Sequence, residues 1–203
     1  MYLITPDCDD DSWLSATLNT ILACRPACLQ YRNKTLPPVR RLSQARQVQA
    51  LCQKYQIPLI VNDDILLAKE INADGVHLGR DDDNIHQARS VLGERKIIGI
   101  SCYNELPRAL EAANQHADYV AFGAMFASAT KPEATHAPLS LLTEARTLLD
   151  VPIVAIGGIT LDNVSSVLRA GADAVAVISD VFSAASPVEQ VQRYQQRIAH
   201  HHD

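Results

Sequence analysis

The sequence lacks any excess of positive charge. Its 18 Lys and Arg are outnumbered by 23 Asp and Glu, for a formal charge of −5. A nucleic acid is thereby excluded as main partner, because phosphate backbones call for clustered cations. Small phosphorylated ligands are not excluded, since a pocket sets its own local charge. No run reaches the ~18 apolar residues of a membrane span. The opening Met1-Tyr2-Leu3-Ile4-Thr5-Pro6-Asp7 has neither the basic nor the long apolar region of a secretory signal, so a cytoplasmic chain is expected. The five cysteines, Cys8, Cys24, Cys28, Cys52 and Cys102, are odd in number and form no CxxC pair or Cys/His zinc spacing. That leaves reduced, packed thiols. Neither GxxxxGK(S/T) nor GxGxxG occurs, which removes the P-loop and the dinucleotide fingerprint. No linker or low-complexity block divides the chain. His200, His201, His202 and Asp203 are expected to form a frayed, solvated tail rather than a metal site.

What the sequence does have is the composition of an ordinary globular domain, with 203 residues, 47% apolar and 20% charged. Short β-type runs alternate with helical ones from end to end. Strands are predicted at Tyr2–Thr5, Cys28–Arg32, Leu59–Asn62, Gly75–Leu78, Ile97–Ser101, Tyr119–Phe122, Ile153–Ile156 and Ala174–Ile178. Several are nearly continuous apolar runs, as parallel strands covered on both faces should be. Helices are predicted at Val39–Tyr55, Asp64–Asn72, Asn84–Leu92, Leu106–His116, Leu139–Leu149 and Asp162–Ala170. Pro58 and Pro152 stand just before strands, and Gly93 and Gly171 stand where helices should stop. The pattern predicts a single α/β domain, a (β/α)8 TIM barrel over residues 1–203, in preference to a doubly wound open sheet. Ala73-Asp74, Ala117-Asp118 and Ala172-Asp173 each precede a strand, a recurring turn to which no chemistry is attached.

In such a barrel the active site forms at the C-terminal ends of the strands, and the polar residues collect there. Strand alternation sends Gln30, Arg32 and Lys34 to one side, a set suited to a diphosphate-like anion. Asp63 and Asp82 end adjacent strands; with phosphate oxygens and waters they describe a typical Mg²⁺ site. Asp64, Asp81 and Asp83 are left the lesser role of helix capping. Gly157-Gly158 after the seventh strand and Ile178-Ser179 after the eighth occupy the usual phosphate-binding station. Ser128-Ala129-Thr130-Lys131-Pro132 lies in the longest irregular segment, roughly Ala127 to Ala137, a candidate lid. His77 is read as a hydrogen-bonded structural histidine rather than a base.

Taken in order, these motifs resemble the thiamine-phosphate synthase family over nearly the whole chain. They are Gln30-Tyr31-Arg32-Asn33-Lys34, Val61-Asn62-Asp63-Asp64, Ala73-Asp74-Gly75-Val76-His77-Leu78-Gly79 and Gly99-Ile100-Ser101-Cys102. Asp118-Tyr119-Val120-Ala121-Phe122-Gly123, Ser128-Ala129-Thr130-Lys131, Ala155-Ile156-Gly157-Gly158-Ile159 and Val177-Ile178-Ser179 complete the series. The resemblance implies that two small phosphorylated heterocycles, hydroxymethylpyrimidine diphosphate and thiazole phosphate, are joined into thiamine phosphate with release of diphosphate. It implies Mg²⁺ as cofactor, held by Asp63 and Asp82. Gln30, Tyr31, Arg32, Asn33, Lys34, Asn62, Ser101 and Lys131 would hold the pyrimidine diphosphate, with Arg32, Lys34, Ser101 and Lys131 as catalytic groups. Ser128, Ala129, Thr130, Gly158, Ile178 and Ser179 would hold the thiazole phosphate. Three positions depart from the family pattern: Ala127 and Ser128 stand where proline and threonine are usual, and Arg80 replaces a common glutamine.

The sister group of thiazole tautomerases handles no diphosphate, so Lys34, Asp63, Asp82 and Lys131 together favour the synthase. A Schiff-base aldolase would use Lys34 or Lys131 as its amine, and a phosphate-binding barrel without activity would need only the glycine station. A homo-oligomer is left open.

Overall fold

A computed structural model describes residues 1–80, 84–127 and 135–202. Eight parallel strands close into a barrel in sequence order. They are β1 (Tyr2–Ile4), β2 (Cys28–Tyr31), β3 (Leu59–Asn62), β4 (Gly75–Leu78), β5 (Ile97–Tyr103), β6 (Tyr119–Phe122), β7 (Ile153–Ile156) and β8 (Ala174–Val177). Closure comes from β1 pairing with β8 through Tyr2↔Ala176 and Leu3↔Val177. The (β/α)8 expectation is met, and the open sheet is ruled out.

Helices α1 (Asp11–Ile21), α2 (Pro38–Tyr55), α3 (Ile65–Glu70), α4 (Ile85–Leu92), α5 (Leu106–Asn114), α6 (Leu139–Leu148), α7 (Val164–Arg169), α8 (Ser179–Phe182) and α9 (Pro187–His202) cover the outside. Of these, α1, α8 and α9 fall outside the helical runs read from the sequence. The signal for α9 was present, since Val188, Val191, Tyr194 and Ile198 recur at helical spacing and face the core. The same helix continues through His200 and His201 to His202. Among the described residues no helix is long and apolar enough to cross a membrane.

Two apolar layers follow from the strand period of two. Outward residues such as Leu3, Leu29, Leu59, Val61 and Val120 pack under the helices. Inward ones form a smaller cluster of Tyr2, Ile4, Tyr119, Ala121, Val154 and Ala176. Space inside is tight: a Cβ on Gly99 would come within 1.9 Å of the Tyr119 ring.

The Ala-Asp turns are reciprocal locks. Asp74 N donates to Leu59 O (2.9 Å) and its carboxylate accepts from Leu59 N (2.8 Å). Asp118 does the same to Ile98 (2.8 and 2.6 Å), and Asp173 to Ile153 (2.9 and 2.7 Å). Each satisfies the first backbone groups of a neighbouring strand at the barrel's N-terminal face, where the ladder has no further partner. Arg89 and Arg146 pair with Asp118 and Asp173.

Asp64 caps α3, accepting from Leu67 N at 2.8 Å. Asn84 caps α4, its side chain accepting from Gln87 N at 2.9 Å. Asp81 and Asp83 lie outside the described residues.

Candidate active site

At the C-terminal mouth of the barrel a cavity of about 700 Å³ is lined by Gln30, Arg32, Asn62, Ser101, Gly158, Ile178 and Ser179, among others. Residues from β2, β3, β5, β7 and β8 thus meet in one place. On β2, alternation turns Gln30 inward, and Arg32 reaches the same cavity just beyond the strand's last residue. Thr5 sets that position, since its hydroxyl accepts from Arg32 N and donates to Arg32 O, both at 2.9 Å.

Alternation does not carry as far as Lys34, because β2 ends at Tyr31. Lys34 instead lines a neighbouring recess of about 270 Å³ with Arg41, Asn62, Asp63 and Asp64. Its Nζ lies 2.9 Å from Asp63 Oδ2. Asn62 borders both cavities, so the recess adjoins the main mouth. Tyr31 points outward under α2, its hydroxyl 3.1 Å from Arg41 O and 3.0 Å from Gln44 Oε1. Asn33 is buried; it donates to Cys8 O at 2.7 Å and accepts from the backbone N–H groups of Thr35 and Leu36. Both side chains shape the loop rather than line the main cavity.

Asp63 adopts φ +64, a left-handed conformation uncommon outside glycine and found often at functional sites. The turn puts its carboxylate at the rim beside the Lys34 ammonium. Among the described residues no group of three or more His, Cys, Asp or Glu forms a cage for a metal. A partly exposed carboxylate, in a recess that Asn62 also lines, suits a hard, substrate-bridging cation such as Mg²⁺, which seldom takes an all-protein cage. Asp82, Ser128, Ala129, Thr130 and Lys131 lie outside the described residues.

The glycine pair has a reason the sequence did not reveal. Gly157 (φ +96) and Gly158 (φ +61) both need the left-handed region, and a Cβ on Gly158 would lie 2.4 Å from Ala127 O. The segment after β6 is laid directly on them, with Met125 N bonded to Ile156 O and Phe126 N to Gly157 O at 2.9 and 3.0 Å. The base of the expected lid and the expected phosphate loop are one packed unit. Behind them, Tyr194 of α9 donates its hydroxyl toward Asp180 (2.7 Å) and Ile159 O (3.2 Å), steadying the loops after β7 and β8.

His77 is buried, with Nδ1 2.9 Å from Tyr119 Oη and Nε2 2.8 Å from Ser101 Oγ. Burial lowers its pKa to about 4, partly opposed by the charge of Asp63. It is neutral at physiological pH, in keeping with the structural role expected of it. Arg108 of α5 donates to Ser101 O (2.8 Å) and Gly79 O (2.9 Å), fixing the ends of β4 and β5 together. Arg80, the cation that departs from the family pattern, stacks over Tyr103 and pairs with Glu105.

Sequence reasoning missed Asp7, Tyr2, Tyr119 and Arg108. Asp7 accepts from Arg32 Nη1 at 2.8 Å and from Lys34 N at 2.7 Å. Its place just past β1 was the available signal, as for every other strand end.

The model of the thiamine monophosphate synthase family matches residues 1–181. The thiamine-phosphate synthase of Azoarcus sp. (strain BH72) is 56% identical over 194 residues, covering 96% of this chain and 94% of that one. The thiamine-phosphate synthase of Aromatoleum aromaticum is 52% identical, with 96% and 93% covered. Among solved structures, the thiamine phosphate pyrophosphorylase from Pyrococcus furiosus superposes with a TM-score of 0.88 at 30% identity, covering 98% of this chain and 95% of that one.

Proposed function

The chain belongs to the thiamine monophosphate synthase family and is a transferase of thiamine biosynthesis, and from that premise we propose its substrates and mechanism. It condenses 4-amino-2-methyl-5-(diphosphooxymethyl)pyrimidine with 4-methyl-5-(2-phosphoethyl)thiazole. The products are thiamine phosphate and diphosphate. The observation that carries this reading is the shared cavity, lined both by Arg32, Asn62 and Ser101 and by Gly158, Ile178 and Ser179. Two anionic reactants therefore have separate footholds within reach of each other.

The step is a substitution in which bond breaking leads. The C–O bond between the pyrimidine methylene and the diphosphate breaks, and its electron pair leaves with the diphosphate. The thiazole nitrogen lone pair then forms the new C–N bond. No proton has to move, which accords with a neutral, buried His77. Charge grows on the departing diphosphate, so groups aimed there stabilise the transition state more than the ground state. Arg32 acts at that point, joined by Lys34 from the adjoining recess and by Lys131, while Ser101 faces the pyrimidine ring.

Asp63 and Asp82 would hold Mg²⁺, which when bound neutralises charge on the diphosphate oxygens. The thiazole phosphate takes Gly158, Ile178 and Ser179, together with Ser128, Ala129 and Thr130. The apolar cavity walls Ile4, Ala121, Val154 and Ile156 keep water from the cationic carbon. We place the reaction in the cytoplasm, in keeping with five free cysteines, of which Cys28, Cys52 and Cys102 are pushed up to about 12 by burial and unreactive.

The test is an assay of purified protein with both heterocycles and Mg²⁺, following diphosphate and thiamine phosphate together. Equal amounts of the two products are expected, with none when Mg²⁺ is chelated. Binding of the thiazole phosphate without diphosphate release would contradict the reading and favour a binding protein.

A further inference from the structure

An unbroken line of uncharged side chains crosses the barrel interior. Gln30 Nε2 donates to Tyr2 Oη at 2.7 Å, Tyr2 Oη lies 2.8 Å from Tyr119 Oη, and Tyr119 Oη lies 2.9 Å from His77 Nδ1. His77 Nε2 then lies 2.8 Å from Ser101 Oγ. Both ends, Gln30 and Ser101, line the active-site cavity. The line exists because Gly99 has no side chain: the Tyr119 ring occupies that space and stacks on His77 with centroids 5.5 Å apart.

The proton count gives the line a direction. Each phenol has one proton to donate, and a neutral imidazole has one N–H. Since Gln30 donates to Tyr2, the Tyr2 proton goes to Tyr119 and the Tyr119 proton goes to Nδ1. The ring proton of His77 is then on Nε2 and points at Ser101. Ser101 already accepts, so its own proton is available to the cavity, while Gln30 keeps its carbonyl oxygen. Turning one end requires every link to turn, because a buried group left unmatched is costly.

We infer that Tyr2, Tyr119 and His77 are positioning residues that lock opposite hydrogen-bond polarities at the two ends of this line, an acceptor at Gln30 and a donor at Ser101. That pattern selects a heterocycle whose edge pairs an amino group with an unprotonated ring nitrogen. The corresponding oxo compound, with a ring N–H and a carbonyl, presents the reverse. The inference rests on the substrate assignment above and deepens it: the barrel interior, not the rim, reads the amino group.

The experiment compares initial rates for the aminopyrimidine diphosphate and its 4-oxo analogue in the unmodified enzyme and in Tyr119→Phe. It also reads the His77 tautomer in the unmodified protein by ¹⁵N NMR. Losing the two links that Tyr119 Oη makes should raise KM for the aminopyrimidine, and lower the preference for it over the oxo compound, by about ten-fold each. KM for the thiazole phosphate should stay unchanged, which a general loss of packing would not allow. The imidazole proton should reside on Nε2. A proton on Nδ1, or an unchanged preference in Tyr119→Phe, overturns the inference; should that variant not fold, Tyr2→Phe is read in the same way. An enzyme that turned over neither pyrimidine would refute the proposed function, and the tautomer would still decide the polarity of the line.

Discussion

Arg32 donates from Nη1 to Asp7 Oδ2 across 2.8 Å at the mouth of the barrel, joining the segments that follow β1 and β2. Partial burial pulls the Asp7 pKa upward, but the Lys34 backbone N–H, the Arg32 hydrogen bond and the charges of Arg32 and Lys34 outweigh it and hold the carboxyl below its ordinary value. The folded pKa is depressed, so this stabilisation is present above the unfolded value near 3.8 and is lost as pH falls through the folded one. Asp7→Asn should release Arg32, raising KM for the pyrimidine diphosphate about five-fold. Because Asp7 is about a third exposed, solvent screening limits its share of stability to about 1 kcal/mol. Steady-state kinetics and urea unfolding of the variant check both.

Asp118 holds Ile98 by two hydrogen bonds at the face opposite the cavity. Asp118→Ala should cost about 1–3 kcal/mol, since it orphans a strand N–H and removes the carboxylate partner of Arg89. Its kcat at a temperature where it stays folded should equal that of the unmodified enzyme. Denaturant unfolding and an assay at low temperature separate the two.

These two sites also show where the sequence is legible. The barrel could be read because buried parallel strands are short apolar runs, as in Leu59–Asn62 and Ile153–Ile156. The mouth could be read because each strand end has a fixed station. Gln30, Arg32, Asn62, Ser101 and Ser179 reached one cavity on that basis. Side chains past a strand end could not be read, because direction there depends on the loop: Lys34 turned to the adjoining recess and Asn33 inward to Cys8. The Asp74, Asp118 and Asp173 turns were visible as a repeat, but their partners sit 15 to 20 positions away in another strand. Likewise Tyr2 and Tyr119 meet across 117 positions, a contact no local pattern encodes.

Gly158 lies under the Ala127 carbonyl. Gly158→Ala would force a Cβ into the left-handed region against that oxygen, a combined cost above about 1 kcal/mol. KM for the thiazole phosphate should rise while KM for the pyrimidine holds. Isothermal titration with the thiazole phosphate alone measures the first effect directly.

His77 makes stability depend on mild acid. Its folded pKa of about 4 lies below the ordinary 6.5, so the unfolded chain takes up a proton first as pH falls. Stability is complete above about pH 6.5 and declines between 6.5 and 4, by roughly 3 kcal/mol in all. Urea unfolding at pH 7.5 and pH 5 should show the loss, and His77→Gln should flatten the His77 part of it.

The central claim is that one mouth holds both phosphorylated partners side by side. A crystal structure with thiamine phosphate, diphosphate and Mg²⁺ measures it most directly. The expected density puts diphosphate against Arg32 and Asn62, the ester phosphate against Gly158 and Ser179, and the metal at Asp63. Diphosphate bound outside that mouth, or an ester phosphate away from the glycine pair, would contradict the account.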